Sequence, residues 1–173
     1  MRLHLAFAMA LLTCAAPAAA ERLEFDYRLY PPLQQVLDAG NKEMVSFNAD
    51  NPARLIDLIA VKGASAASWT EAMEIVSIAR PRKIATAHEW MTIMQREVPS
   101  GCPATFAVLS EDANSVTFER RAPACPADRA PYAIYRLVAG QRSWFELAVL
   151  AKDELGADAR RQWLALLASA HTK

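Results

Sequence analysis

Few side chains in this sequence are of a type that could do chemistry alone. The thiols are Cys14, Cys102 and Cys125, and the imidazoles are His4, His88 and His171. A nucleophilic Cys102 with His88 as its base would need a lowered thiol pKa and a base held beside it. Neither residue has local sequence around it that supplies such a setting. Metal sites want clustered His, Cys, Asp or Glu, and no HExxH, CxxC or neighbouring His pair occurs. A serine nucleophile would sit on a strained turn such as GxSxG. The nearest string, Gly63-Ala64-Ser65-Ala66-Ala67, lacks the second glycine, so Ser65 reads as a loop or capping residue. The five glycines are not clustered, which argues against a phosphate cradle. Carboxylates fall close together as Glu71 and Glu74, Glu111 and Asp112, and Asp153 and Glu154. Each pair reads as a solvated strand edge or turn rather than an acid–base couple. No catalytic, cofactor-binding or metal-ligating residue is assigned, and no cofactor is expected.

The cysteines read better as structure. Residues 104–110 and 115–121 are strand-like runs, and Glu111-Asp112-Ala113-Asn114 between them reads as a turn. Facing residues of an antiparallel hairpin have numbers with a constant sum. A two-residue tip at Ala113-Asn114 makes that sum 227, which places Cys102 opposite Cys125. If Val108 faces Phe118 the sum is 226, and the cysteines are one position out of register. Either register brings them together at the open end of the hairpin, within bridging reach. Pro103, Pro123 and Pro126 beside them suit strand ends. The expectation is a Cys102–Cys125 disulfide, formed in an oxidising compartment.

The N-terminus points to such a compartment. Arg2 precedes an apolar run over residues 5–12, and Ala18-Ala19-Ala20 precedes Glu21. This is the pattern of a secretory signal peptide cleaved after Ala20. The apolar run falls short of the ~20 residues of a membrane-spanning helix. A lipidated Cys14 is the rival reading, but Thr13 is bulkier than the small residue that usually precedes a lipidated cysteine. The good site downstream favours loss of Cys14 with the signal. Residues 1–20 are thus expected to be the signal and residues 21–173 one α+β domain, periplasmic or secreted, with no membrane span after cleavage. Only Arg2 among charged residues leaves with the signal, so 19 Lys+Arg and 19 Asp+Glu become a formal net charge of −1. A nucleic-acid partner would require a basic stripe, which is lacking. Arg80-Pro81-Arg82-Lys83 and Arg120-Arg121 read as solvated element ends.

The elements that must position these residues can be read from periodicity. Residues 23–30 alternate in part, as an edge strand or extended lead-in, and 33–37 could make a helical turn stopped at Ala39-Gly40. Strands are expected at 42–48, 54–62 and 72–79, with a small-residue loop at 63–68. Over residues 83–98, Ile84, Ala87, Met91, Met94 and Val98 recur at three- and four-residue steps. They form a helical stripe that Gly101 would stop. His88 beside that stripe reads as structural. A second hairpin spans 132–138 and 143–151, and a helix follows over 157–170 with Trp163, Leu164, Leu167 and Ala170 on one side. Hairpin-length turns imply a mainly antiparallel sheet of about six to seven strands. In Phe145-Glu146-Leu147-Ala148-Val149-Leu150 only Glu146 is charged, so the sheet needs helices on both faces. Trp69, Trp90, Trp144 and Trp163 read as core or core rim. An aromatic ligand groove between helix and sheet is the functional alternative.

The run Trp69-Thr70-Glu71-Ala72-Met73-Glu74-Ile75-Val76 follows an apolar strand and a small-residue loop. With Cys102-Pro103 near a helix end, two hairpins and the Trp163 helix, it resembles uncharacterised bacterial periplasmic proteins that look like the PsbP-like α/β/α sandwich. The resemblance spans residues 42–170. It implies that sandwich and the role of a small module, and it carries no catalytic residue. The leading expectation is a non-catalytic binding or envelope-associated protein whose partner is another protein or a small apolar ligand. The alternative is a periplasmic hydrolase with a site assembled from distant residues.

Overall fold

The computed structural model describes residues 21–81, 83–98, 102–125 and 130–173. Residues 1–20, where the signal peptide and Cys14 were expected, and Arg82, Gly101 and Pro126 lie outside the described residues. Along the chain come β1 (Leu23–Glu24), a 3-10 turn (Tyr27–Leu29), α1 (Pro31–Ala39), a second 3-10 turn (Lys42–Met44), β2 (Val45–Asn51), β3 (Arg54–Ser65) and β4 (Ser68–Ala79). Then follow α2 (Ala87–Arg96), β5 (Thr105–Glu111), β6 (Ser115–Arg121), β7 (Tyr132–Ala139), β8 (Ser143–Ala151), α3 (Ala157–Ser169) and β9 (His171–Thr172). Seven strands form one antiparallel sheet in the order β2-β3-β4-β8-β7-β6-β5. The short β1 and β9 pair with each other apart from it.

Alternation along the central strands sorts side chains to two faces, and both are covered. Ile59, Met73, Ile134, Phe145, Leu147 and Val149 meet Leu33 of α1 and Trp163, Leu166 and Leu167 of α3. Val116, Phe118, Leu137 and Trp144 meet Ala87, Trp90 and Met91 of α2 on the other face. The expected α+β class, with helices on both sides of an antiparallel sheet, is what the chain forms.

Differences from the sequence reading have local causes. Pro31-Pro32 open α1 instead of merely ending a strand, because proline at the first helical positions loses no hydrogen bond there. The helix expected over 83–98 starts at Ala87. The Thr86 hydroxyl accepts from Glu89 N at 3.1 Å, while the Glu89 carboxylate accepts from Ala85 N at 2.7 Å. This reciprocal cap holds Ile84 outside the helix, although Ile84 still packs at the rim of the α2 core. Residues 63–68 are less loop than expected, since β3 and β4 run on until Ser65 faces Ser68. Gly63 permits this with φ 121°, where a Cβ would lie 2.5 Å from the Ser68 carbonyl oxygen. Arg120 is not a solvated element end: it is half-buried on the α2 face, and its Nη2 donates to the Ala130 carbonyl.

The β5–β6 hairpin uses both anticipated registers in succession. Val108 faces Phe118, and beyond a bulge Ser110 faces Thr117. Cys102 and Cys125 are disulfide-bonded at the open end, with Cα atoms 4.7 Å apart. Thiol titration of the native protein is expected to find no free Cys102 or Cys125. Replacing both by alanine should lower unfolding stability by about 3 kcal/mol in the chain-entropy account. Two titratable thiols in the native protein would refute the pairing.

Candidate functional site

Strand β8 carries the feature that decides where function is sought. Its alternation sends Phe145, Leu147 and Val149 toward α1 and α3, and Trp144, Glu146 and Ala148 toward α2. Glu146 therefore sits in mid-sheet between Val76 of β4 and Leu137 of β7. Helix α2 is only 10 residues long and lies against β6 and β7, so it stops short of the central strands beside them. The gap is a cavity of about 410 Å³. Its walls come from Arg54 of β3, Val76 and Ile78 of β4, Trp90 and Met94 of α2, Glu97 just beyond α2, and Tyr135 and Glu146 of β7 and β8.

Glu146 is only 7% exposed, and its carboxyl has no hydrogen-bond partner among the described residues. Burial, then the charge of Glu74, pushes its pKa up to about 7, with Arg54 opposing. Glu74 is also raised, by burial, with Arg54 again opposing. Burial raises the Tyr135 hydroxyl to about 12. Three side-chain nitrogens are buried without a partner: Trp144 Nε1 and Arg120 Nε on this face, and Arg136 Nε on the other. Unpaired buried polar groups are uncommon and call for an explanation.

The carboxylates of the opposite face differ. Glu71 is 4% exposed and accepts from the Tyr30 hydroxyl, from Trp163 Nε1 at 2.8 Å and from Lys62 Nζ. Glu119 accepts from the Tyr132 hydroxyl at 2.9 Å, Arg121 Nε at 2.7 Å and Arg160 Nη2 at 2.9 Å. Its pKa lies below the usual carboxylate range because these donors outweigh the burial that would raise it. Both carboxylates are saturated with donors and tie α3 to the sheet. They are structural, and Glu146 is not explained that way.

The residues singled out from sequence scatter. Glu71 and Glu74 are three apart on one strand and so point to opposite faces; reading them as a solvated pair is corrected, since Glu71 is buried and Glu74 partly so. Asp112 closes the β5–β6 turn by accepting from the backbone N–H of Asn114 and Ser115, each at 2.8 Å. Glu154 pairs with Arg121 at 2.6 Å. Ser65 accepts from Ala67 N in its turn. His88 Nδ1 lies 3.0 Å from Glu111 Oε1, but both side chains are about half exposed, outside the cavity. With Cys102 in a disulfide, no thiol nucleophile forms there. No group of three or more His, Cys, Asp or Glu side chains suited to a metal occurs among the described residues. Sequence reasoning passed over Glu146 as a site residue, although its signal was present as the one charge in an apolar strand.

No protein-family model and no curated protein sequence matches this chain. Among solved structures it is similar to the solution structure of cyanobacterial PsbP (CyanoP) from Synechocystis sp. PCC 6803, with a TM-score of 0.44 and 12% sequence identity. The match covers 77% of this chain and 95% of that one. At that level of likeness no residue role transfers.

Proposed function

We propose that this protein is a non-catalytic binding module, exported to the periplasm or secreted, that takes a small and largely apolar ligand into the cavity between α2 and the sheet. The observation that carries this reading is Glu146, a buried carboxyl without a hydrogen-bond partner, which lines an open cavity whose walls mix Val76, Ile78, Trp90 and Met94 with charged groups. The cavity is of ordinary size for a small-molecule site, which spans roughly 300–1,000 Å³. The disulfide and the N-terminal pattern support export, and no helix among the described residues is long and apolar enough to cross a membrane.

A hydrolase is the second reading, favoured by one fact: a carboxyl with a pKa near 7 suits general acid–base catalysis at neutral pH. The cavity offers it no serine, threonine or cysteine nucleophile among its lining residues. The two readings separate in a titration followed by Trp90 and Trp144 fluorescence and by backbone amide shifts, with indole as the probe. Saturable shifts confined to α2, β4, β7 and β8 are expected, together with no turnover in an esterase, amidase and glycosidase screen. Absence of saturation, together with turnover that vanishes in Glu146→Gln, would replace the binding reading with the enzymatic one.

A further inference from the structure

Granting that the α2 cavity is a binding site, we infer that its ligand is a small organic cation, an amine or quaternary ammonium on an apolar or aromatic body. Its charge would lie between Glu146 and Glu74, and its body against Trp90. The register places the two carboxylates as diagonal neighbours. Glu74 faces Ala148 of β8, and Glu146 is two residues back along the same strand. Such diagonal positions lie about 7–8 Å apart or less, close enough for one cation to serve both. Ala148 between Glu74 and Tyr135 is small, so the floor leaves room there.

Charge decides the ligand class. A buried ionised carboxylate is costly unless a partner and hydrogen bonds compensate it. The protein's own cation at this cavity, Arg54, is exposed at its rim and forms no ion pair among the described residues. Arg120 is a second cation on this face. Against the two stand Glu146, Glu74 and Glu97, so the site carries one negative charge in excess when all are ionised, which disfavours an anionic ligand. A neutral body would leave Glu146 unpaired. A divalent metal would want several more oxygen ligands than this pair supplies. A protonated or quaternary amine supplies the missing charge, and Trp90, tilted against Trp144 at 5.6 Å, offers the aromatic surface that such cations favour.

Occupancy should depend on protons. The charged and titratable groups facing Glu146 are Glu74 from β4, Arg54 from β3, Tyr135 from β7, Arg120 from β6 and Glu97 beyond α2. Glu146 is pushed up to about 7, and burial raises Glu74 in the same direction. Protonating Glu146 removes half of the attraction, so affinity for a cation should rise with pH through about 7.

The test is calorimetric and NMR titration of the whole protein with benzyltrimethylammonium, its neutral isostere neopentylbenzene, and 3-phenylpropionate. The quaternary cation keeps its charge at every pH, so any pH dependence belongs to the protein. At about pH 8 the cation should bind about tenfold more tightly than the isostere, a preference of the size a cation–aromatic contact and one charge pair supply. The preference should shrink at about pH 5.5. Glu146→Gln should reduce it at about pH 8 to the smaller value of about pH 5.5 and remove its pH dependence, while retaining the isostere, with the fold checked by amide spectra. Equal binding of isostere and cation would overturn the cation class and leave the cavity as a site. Binding of none of the three would overturn the cavity as a site as well. A preference that Glu146→Gln leaves undiminished at about pH 8 would overturn the placement of the charge.

Discussion

Glu71→Ala is expected to lower unfolding stability by about 3–5 kcal/mol, while Lys62→Met should cost less than about 1 kcal/mol. The difference follows from which partners are buried. Tyr30 and Trp163 are 1% and 0% exposed, their rings tilted by 33° with centroids 4.1 Å apart, and both donate to the same Glu71 oxygen. Removing the carboxylate leaves an O–H and an N–H buried without acceptors, each worth about 1–3 kcal/mol. Lys62 also reaches Glu71, but its side chain is 51% exposed and returns to water at little cost. Glu71→Gln should fall between, because an amide oxygen can keep one or both donors. Denaturant unfolding of the three variants, read as the shift in midpoint at constant slope, measures the series. A Glu71→Ala protein within about 1 kcal/mol of wild type would mean that water replaces the carboxylate.

Glu71 also marks the limit of reading this chain from sequence. The hairpins, the α2 stripe, the disulfide and the two-sided cover of the sheet were legible, because each depends on spacing within about 25 residues or on composition. The two faces of the sheet cannot be told apart so locally. Trp163 reaches Glu71 across 92 residues of sequence, and Arg160 reaches Glu119 across 41. No local pattern announces that these charges are buried and satisfied. The Ile84–Val98 stripe set the helix too long, because periodicity records which side chains face the sheet, whereas Thr86 decides where helical hydrogen bonding starts. Glu146 was visible as an odd charge in an apolar strand. Its meaning needed the register that places it beside Glu74, and the shortness of α2 that leaves it facing a cavity.

Glu146→Gln should stabilise the fold, and by an amount that grows with pH. In the unfolded chain the carboxyl titrates near 4.5, and in the fold near 7. At pH values below about 4.5 it is protonated in both states, and the substitution should change little. Between the two values the native state holds a proton that the unfolded state has lost, so rising pH erodes wild-type stability. Above 7 the erosion is complete, at about 3 kcal/mol for this side chain, whose 7% exposure leaves little solvent screening. Glu74 has the same sign and is coupled to Glu146, so relieving their repulsion adds to the gain. Glu21, Asp112 and Glu119 are shifted the other way: their stabilisation is present above their ordinary values and lost in acid. They are common to both proteins and largely cancel in the difference. Subtracting unfolding free energies measured at about pH 4 and pH 8 isolates Glu146. A cation bound in the cavity should restore wild-type stability at the higher pH and leave Glu146→Gln nearly unchanged, since a charge kept at a cost to the fold is recovered only when its partner arrives. A difference that stays flat across this range would mean that Glu146 is solvated, and would remove the physical basis for placing a ligand there.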